Sequence, residues 1–335
     1  MEPFKMPQRN TTMFLILSDT PAGNWTPPNT SVDVAIHCGE LTQHSTLNEF
    51  KHAIRMMSKI NADLKLVIAG DHDWTLDNTT GIYRKRLVEA RVHGVSEAAF
   101  IKQFGAWGEA RRLLFDAARA GIAFLDEGRH SFHLSNGAHL ELWASPYTPS
   151  TCPHLPDGGF RHHADRGHPY SIGDDVNVVV THSPRKGVLD RTSTGTHAGG
   201  GGLFQALEQA HPRMHCFGYV REGWGAHLLD WRDDRSSRNV PCAVTAVGYD
   251  KHQSYAIESL ETLTPLPSDK EETRLQKKAR NKHYDERNFV YREQPVVLGE
   301  ETLFVNAAVK ASQSGSRSQV PWVVDIELST MCGLP

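Results

Sequence analysis

The stretch KLVIAGDHDW, Lys65 to Trp74, decides how the rest of the chain is read. A largely apolar run, Leu64 to Ala69, stops at Gly70, and three groups that titrate or bind metal follow at once: Asp71, His72 and Asp73. A short run rich in Val, Ile and Leu and closed by Gly reads as a buried strand. Polar groups just past the C-terminal end of such a strand stand where α/β sheets place ligands. Four other stretches end the same way: LILSDTP (Leu15–Pro21), VAIHCGELT (Val34–Thr42), VVVTHSP (Val178–Pro184) and MHCFGYVREG (Met214–Gly223). Five such strand ends along one chain predict a shared site.

The remaining composition bounds what that site serves. With 335 residues, 39% of them hydrophobic, the chain has enough apolar material for a sizeable core. A formal net charge of -3 offers no basic field for nucleic acid. Nineteen histidines are many for this length, and surface usage accounts for them unless particular positions say otherwise. The five cysteines, Cys38, Cys152, Cys216, Cys242 and Cys332, are odd in number and none is spaced CxxC. Reduced thiols in a cytoplasmic protein are therefore expected, and a zinc ribbon is not. No apolar run approaches the ~20 residues of a membrane span. The apolar piece near the N-terminus leads directly into Asp19 and reads as a first strand rather than a signal segment.

Taken in order, Thr12–Ser18 and Val32–His37 read as strands flanking a Pro-rich loop. Thr46–Ile60 reads as a helix capped by Thr46, with Glu49 three residues on and Leu47, Phe50, Ile54 and Met57 on one face. Strand, helix, strand makes a βαβ unit, so the sheet core is parallel or mixed. Residues 75–117 read as helical, and Ile122–Leu125 and His139–Ser145 as strands. Pro146–Tyr170 is a long loop carrying His154, His162, His163 and His168; loops of this length serve as lids or binding loops as often as they are merely mobile. Val176–Thr181, Met214–Phe217, Pro241–Gly248, Phe304–Ala308 and Trp322–Leu328 read as strands. Gly199–Gly202 connects into a helix at Leu203–Gln209, without the spacing of a phosphate loop. The charge-dense run Ser268–Arg292 reads as a solvated helix or excursion. There is no repeat and no clean linker, so one domain over 1–335 is expected.

Together the motifs SDTP (Ser18–Pro21), HCGELT (His37–Thr42), IAGDHD (Ile68–Asp73), THSPRKG (Thr181–Gly187), FGYVREGWG (Phe217–Gly225), FVNAA (Phe304–Ala308) and PWVVDIEL (Pro321–Leu328) resemble, in order, those of the calcineurin-like metallophosphoesterase superfamily. The resemblance is to its metallophosphoesterase-domain-containing branch in animals and fungi. It implies an α/β fold, a four-layer α-β-β-α sandwich of two mixed sheets. It also implies hydrolysis of a phosphate ester by two divalent ions that share a carboxylate. The ligands transfer poorly. Asp19 and His182 are retained. The family's first His is Pro21, its bridging Asp is Glu40, its Asn is Asp71, and its last two His are Tyr219 and Arg221. Arg has no lone pair to give a metal.

The expectation is therefore no metal cofactor. If any ion binds, Glu40, Asp71 and His182 hold it, with manganese or another divalent metal as the alternative. Without metal, converging Asp19, Glu40 and Asp71 need a proton or a cation, and Arg221 is placed by the motif to supply it. His72, Asp73, His182, Tyr219 and Arg221 are the expected catalytic groups, with Asp73 orienting His72 as the resemblance implies. Asp19, Glu40, Asp71, Trp74, Tyr147 and Trp224 are the expected substrate contacts. The expected partner is an organic small molecule processed by isomerisation, cyclisation or a pericyclic step in natural-product biosynthesis. A phosphodiesterase with altered ligands and a non-catalytic binding protein are the alternatives. No nucleic acid or membrane partner is expected, and oligomeric state is not legible.

Overall fold

Strand Arg9–Leu17 directs Phe14 and Ile16 to one face and Leu15 and Leu17 to the other, and all four are fully buried. A strand apolar on both faces needs cover on both. Each such side chain contributes about 1.5–3 kcal/mol when taken out of water. A computed structural model describes residues 9–20, 25–150, 158–231, 249–293, 295–310 and 318–330 and shows what supplies that cover.

Two mixed sheets pack face to face. The first has the order Val290–Arg292, Trp322–Ser329, Arg9–Leu17, Ser31–His37, Asn61–Val67, Ile122–Phe124; the last four strands are mutually parallel. The second has the order Tyr249–Ser259, Gly225–Trp231, Glu301–Asn306, Met214–Phe217, Val178–Thr181, His139–Ser145, Gly128–His133. Its central four strands are parallel and its edges antiparallel. Phe14, Ile16, Ile36, Leu66, Leu142, Val180, Cys216 and Val305 fill the space between the sheets. Helix Leu47–Ser58 covers the outer face of the first sheet, with Phe50 and Met57 against Leu15, Leu17 and Val67. Helix Gly201–Ala210 covers the second, with Leu203 and Leu207 against Val179, Phe217 and Phe304. The result is the expected α/β sandwich of two mixed sheets with helices outside.

The anticipated elements are present with shifted ends. The organising strand runs Asn61–Val67, so Ile68 and Ala69 belong to the loop that follows it. Strand Gly225–Trp231 and edge strand Tyr249–Ser259 carry no signal used above. The charged run is a helix, Glu271–Arg287, that is docked rather than merely solvated. Lys277 is buried with Nζ 2.9 Å from Asp269, and Glu258, also buried, accepts from Arg280 and the Tyr284 hydroxyl at 3.0 Å each. These three helix residues share one inward stripe within an otherwise exposed surface. The long loop contains a short parallel pair, Thr148–Ser150 with Arg161–His163. The expected strand Pro241–Gly248, the residues Pro21, His154, Cys152, Cys242 and Cys332 lie outside the described residues.

Candidate active site

The parallel strands of both sheets run out at one edge, and the chain there is held in unusual conformations. Asp19, Glu40 and Tyr219 all have positive φ, at 51°, 62° and 67°. A non-glycine residue in this region is strained, and such strain persists where the surroundings over-determine it. The fixing contacts are backbone hydrogen bonds between strand ends: Asp19 N–H to the Gly39 carbonyl at 3.1 Å, and Gly218 N–H to the His182 carbonyl at 3.1 Å. Two glycines permit the approach. A Cβ on Gly70 would stand 2.4 Å from the Glu40 nitrogen, and one on Gly218 would stand 2.2 Å from an Asp19 carboxylate oxygen.

This geometry gathers Asp19, Glu40, Asp71 and His182, all buried. Asp19 Oδ2 accepts from the Ser18 hydroxyl at 2.7 Å and the Tyr219 N–H at 2.9 Å. Glu40 Oε2 accepts from the His72 N–H at 3.0 Å. His182 Nδ1 is 2.8 Å from the Cys38 carbonyl. A carbonyl only accepts, so Nδ1 carries hydrogen and Nε2 faces the carboxylates. That Nε2 lies 3.5 Å from Asp71 Oδ1 and 3.9 Å from Glu40 Oε2, buried and without a hydrogen-bond partner among the described residues. Burial opposes charge on His182, but Asp71, Asp19 and Glu40 outweigh it and push its pKa up to about 10. Burial, then the charge of Asp71, holds the Glu40 carboxyl well above the usual carboxylate range. Burial acts the same way on Asp71, yet His182 and Arg161 prevail and hold it below that range.

Arg161 is the residue that the sequence reading missed. Its guanidinium donates to Asp71 Oδ2 from the strand Arg161–His163 inside the long loop. Gly159 N–H fastens that loop to the Asp71 carbonyl at 2.8 Å, and Phe160 N–H to Asp77 at 2.6 Å. The only prior signal was an Arg within a long loop. Arg221, expected to pair with the carboxylates, faces Asp19 with Nε 3.9 Å from Oδ1. It is a looser neighbour than Arg161. Lys310 is a third cation the sequence did not flag: its ammonium donates to Gln43 Oε1, and its backbone N–H to the Asp19 carbonyl at 3.1 Å.

Asp73 does not orient His72. Its oxygens accept from Gly70 N–H at 2.8 Å, Leu41 N–H at 2.9 Å, Thr42 N–H at 2.8 Å and the Thr42 hydroxyl at 2.6 Å. It is a fully buried anchor for the loop carrying Glu40. His72 instead has Nδ1 2.9 Å from the Gln43 carbonyl and 3.6 Å from Glu40 Oε1, with its side chain 39% exposed. Tyr219 is mostly buried, its ring edge-on to His182 at 5.5 Å between centroids. Burial pushes its phenol up.

Trp224 is not a substrate wall. It is 1% exposed, packs on Trp322 between the sheets and donates from Nε1 to the Val320 carbonyl at 2.9 Å. Trp74 packs against Tyr83, Phe100 and Phe104. One side of it still lines a cavity of about 580 Å³ shared with Gln43, Asp71, His72, Phe100 and Phe104. Tyr147 hydrogen-bonds Thr79 at 3.0 Å and stacks on His168 at 4.4 Å, supporting the loop that carries Arg161.

Two donor sets bring one ligand atom each within 4.8 Å of one another: Asp19, Glu40 and His182, and Glu40, Asp71 and His72. The first fits a divalent ion that displaces the Nε2 proton of His182, because that nitrogen is buried and without a hydrogen-bond partner among the described residues, while the other ring nitrogen is fixed by a carbonyl. The second does not fit as it stands, because the Arg161 guanidinium sits on Asp71 and would repel a dication. Asp19 thus joins Glu40 and His182 in the better set, with Asp71 adjacent to it.

No family profile matches the chain. It is 28% identical over 225 residues to "Probable rhamnogalacturonate lyase C" of Emericella nidulans, covering 66% of this chain and 18% of that protein. It is 22% identical over 245 residues to "Metallophosphoesterase domain-containing protein 1" of Homo sapiens, covering 71% of this chain and 68% of that one. Among solved structures, the purple acid phosphatase PPD1 of yellow lupin aligns with a TM-score of 0.37 at 9% identity, over 94% of this chain and 47% of that one. Strand ends carrying the expected residues in the expected order, on two mixed sheets, agree with the relatives bearing the family's name. The chain is similar, in sequence and in fold, to the calcineurin-like metallophosphoesterase superfamily.

Proposed function

We propose that this protein has exchanged paired-metal phosphoester hydrolysis for binding and conversion of an organic small molecule. The observation that carries the reading is the Arg161 guanidinium on Asp71, a fixed cation where a second ion would need that carboxylate. The neighbouring cavity, about 580 Å³ with Trp74, Phe100 and Phe104 on its apolar side, has the volume and lining of a small-molecule site. His72 and Asp71 border it, so a proton donor and a polarising ion pair adjoin an apolar surface. Orienting a flexible substrate and stabilising charge as it develops suits isomerisation, cyclisation or a pericyclic step. Natural-product biosynthesis is the setting we propose for it.

A second reading is favoured by the unpartnered His182 Nε2: a single divalent ion, such as manganese, held by Asp19, Glu40 and His182. When bound there it would polarise a substrate oxygen.

Metal analysis of the purified protein, with hydrolysis of bis(p-nitrophenyl) phosphate measured with and without manganese, tests both. The proposal expects no chelator-sensitive hydrolysis, and tighter manganese binding once Arg161→Ala frees Asp71. The second reading expects one ion per chain, lost in His182→Ala. Two ions per chain with chelator-sensitive hydrolysis would overturn the proposal.

A further inference from the structure

The loop of residues 158–170 is tied down at both ends. At its start, Gly159 N–H and Phe160 N–H are held by the Asp71 carbonyl and the Asp77 carboxylate, and the Phe160 carbonyl accepts from Thr148 N–H at 2.9 Å. The Arg161 guanidinium sits on Asp71. At its end, His168 Nε2 lies 2.6 Å from Glu127 Oε1, with the Tyr147 ring stacked on it at 4.4 Å and the Tyr170 ring edge-on at 4.9 Å. Gly158 and Asp71 both line the first cavity, so the loop is part of its wall.

His162 stands between the two ties and belongs to neither. Its ring centre is 5.3 Å from that of His168. Its Nδ1 is 3.2 Å from the His163 carbonyl, which can only accept, so Nδ1 carries the hydrogen and Nε2 a lone pair. That Nε2 is buried and has no hydrogen-bond partner among the described residues. A proton placed there would have nothing to donate to, and the imidazolium so formed would face His168. The paired strand Thr148–Ser150 brings no titratable side chain. The carboxylate that acts on His162 is Glu127, already bonded to His168 and to the Ser145 hydroxyl. Tyr147 and Tyr170 flank His168, and Arg161, His163, Asp165 and Arg166 are the loop's other ionisable groups. Burial is the main force lowering the His162 pKa and His168 adds to it, while the His163 carbonyl and Glu127 oppose it. Asp71 is held below the usual carboxylate range and Arg161 above its ordinary value, so the tie between them keeps both charges in mild acid.

We propose that residues 158–170 form an acid-released strap: protonation of His162 lifts the loop, withdraws Arg161 from Asp71 and opens one wall of the first cavity. The device lies in the loop alone and holds whatever that cavity binds. The released loop takes up its proton at the ordinary histidine value of about 6.5, and the closed loop does so at lower pH. The released state therefore binds more protons. The closed loop keeps its full stability above about pH 6.5 and loses it as pH falls toward its own lowered value. Over that interval each pH unit multiplies the released population by about ten. Hydrogen–deuterium exchange of the full chain at pH 7.5 and 5.5, corrected for the intrinsic pH dependence of exchange, reads this at the Gly159 and Phe160 amides. Their protection should fall about threefold to tenfold in acid. In His162→Gln, which takes up no proton, the fall should vanish. His162 is half-buried, so His162→Asn serves as a second neutral replacement, and thermal unfolding at pH 7.5 confirms that each variant is folded. Protection equal at the two pH values in the unaltered chain would overturn the proposal. So would an acid loss of the same size in both variants, which would assign it to opening of the fold as a whole.

Discussion

Asp73 accepts three backbone N–H groups and a hydroxyl in a site closed to water, whereas its neighbour His72 is partly exposed at the cavity. Removing the Asp73 carboxylate leaves buried donors unpaired. Asp73→Ala should therefore cost at least about 3 kcal/mol in urea unfolding, and His72→Ala less than about 1 kcal/mol. Equal losses in the two variants would show that Asp73 is not an anchor. The sequence placed both residues at a strand end but gave no means of separating their roles. That separation depends on which oxygen meets which N–H, and two of the three N–H groups come from a loop more than thirty positions earlier. Arg161 was illegible for the same reason. Nothing in RHHADRGH, Arg161 to His168, says that one guanidinium reaches Asp71, ninety positions away.

At the scale of elements, local chemistry was the better guide. Helix Leu47–Ser58 begins where Thr46 and Glu49 predict, and both halves of the capping box are formed. Thr46→Ala should lower stability by about 1 kcal/mol in chemical denaturation, with the helix retained by circular dichroism. A neutral substitution would mean that packing of Phe50 and Met57 alone fixes the start of the helix. The short apolar runs gave the parallel strands, since strands buried on both faces must be apolar throughout. Strand Gly225–Trp231 and the edge strand Tyr249–Ser259 were harder to see, because polar residues interrupt them and only pairing with Glu301–Asn306 and with each other defines them.

Across the whole molecule, buried histidines set a direction for acid behaviour. Burial, with help from His182, lowers His37 to about 3, and burial with Arg185 lowers His215 well below its ordinary value. Both are neutral in the fold and take up a proton when unfolded, at about pH 6.5. The unfolded state thus binds more protons below that pH, and stability falls as pH drops from about 6.5 toward the folded values. Two such groups contribute a slope of about 2.7 kcal/mol per pH unit once both titrate in the unfolded chain. His215→Gln should reduce the slope measured near pH 5 by about half of that, and an unchanged slope would assign the acid limb to other groups. No helix among the described residues is long and apolar enough to cross a membrane. The sequence by itself determined the strand ends, their order and hence the superfamily sandwich, because hydrophobic runs, glycine stops and caps act over a few residues. Only the tertiary structure decided the charge balance of the site: Arg161 rather than Arg221 closest to a carboxylate, Asp73 withdrawn as an anchor, Trp224 sunk into the core. Coulomb and hydrogen-bond terms depend on distances of a few ångströms between groups far apart in the chain, and those distances exist only once the two sheets have closed on each other.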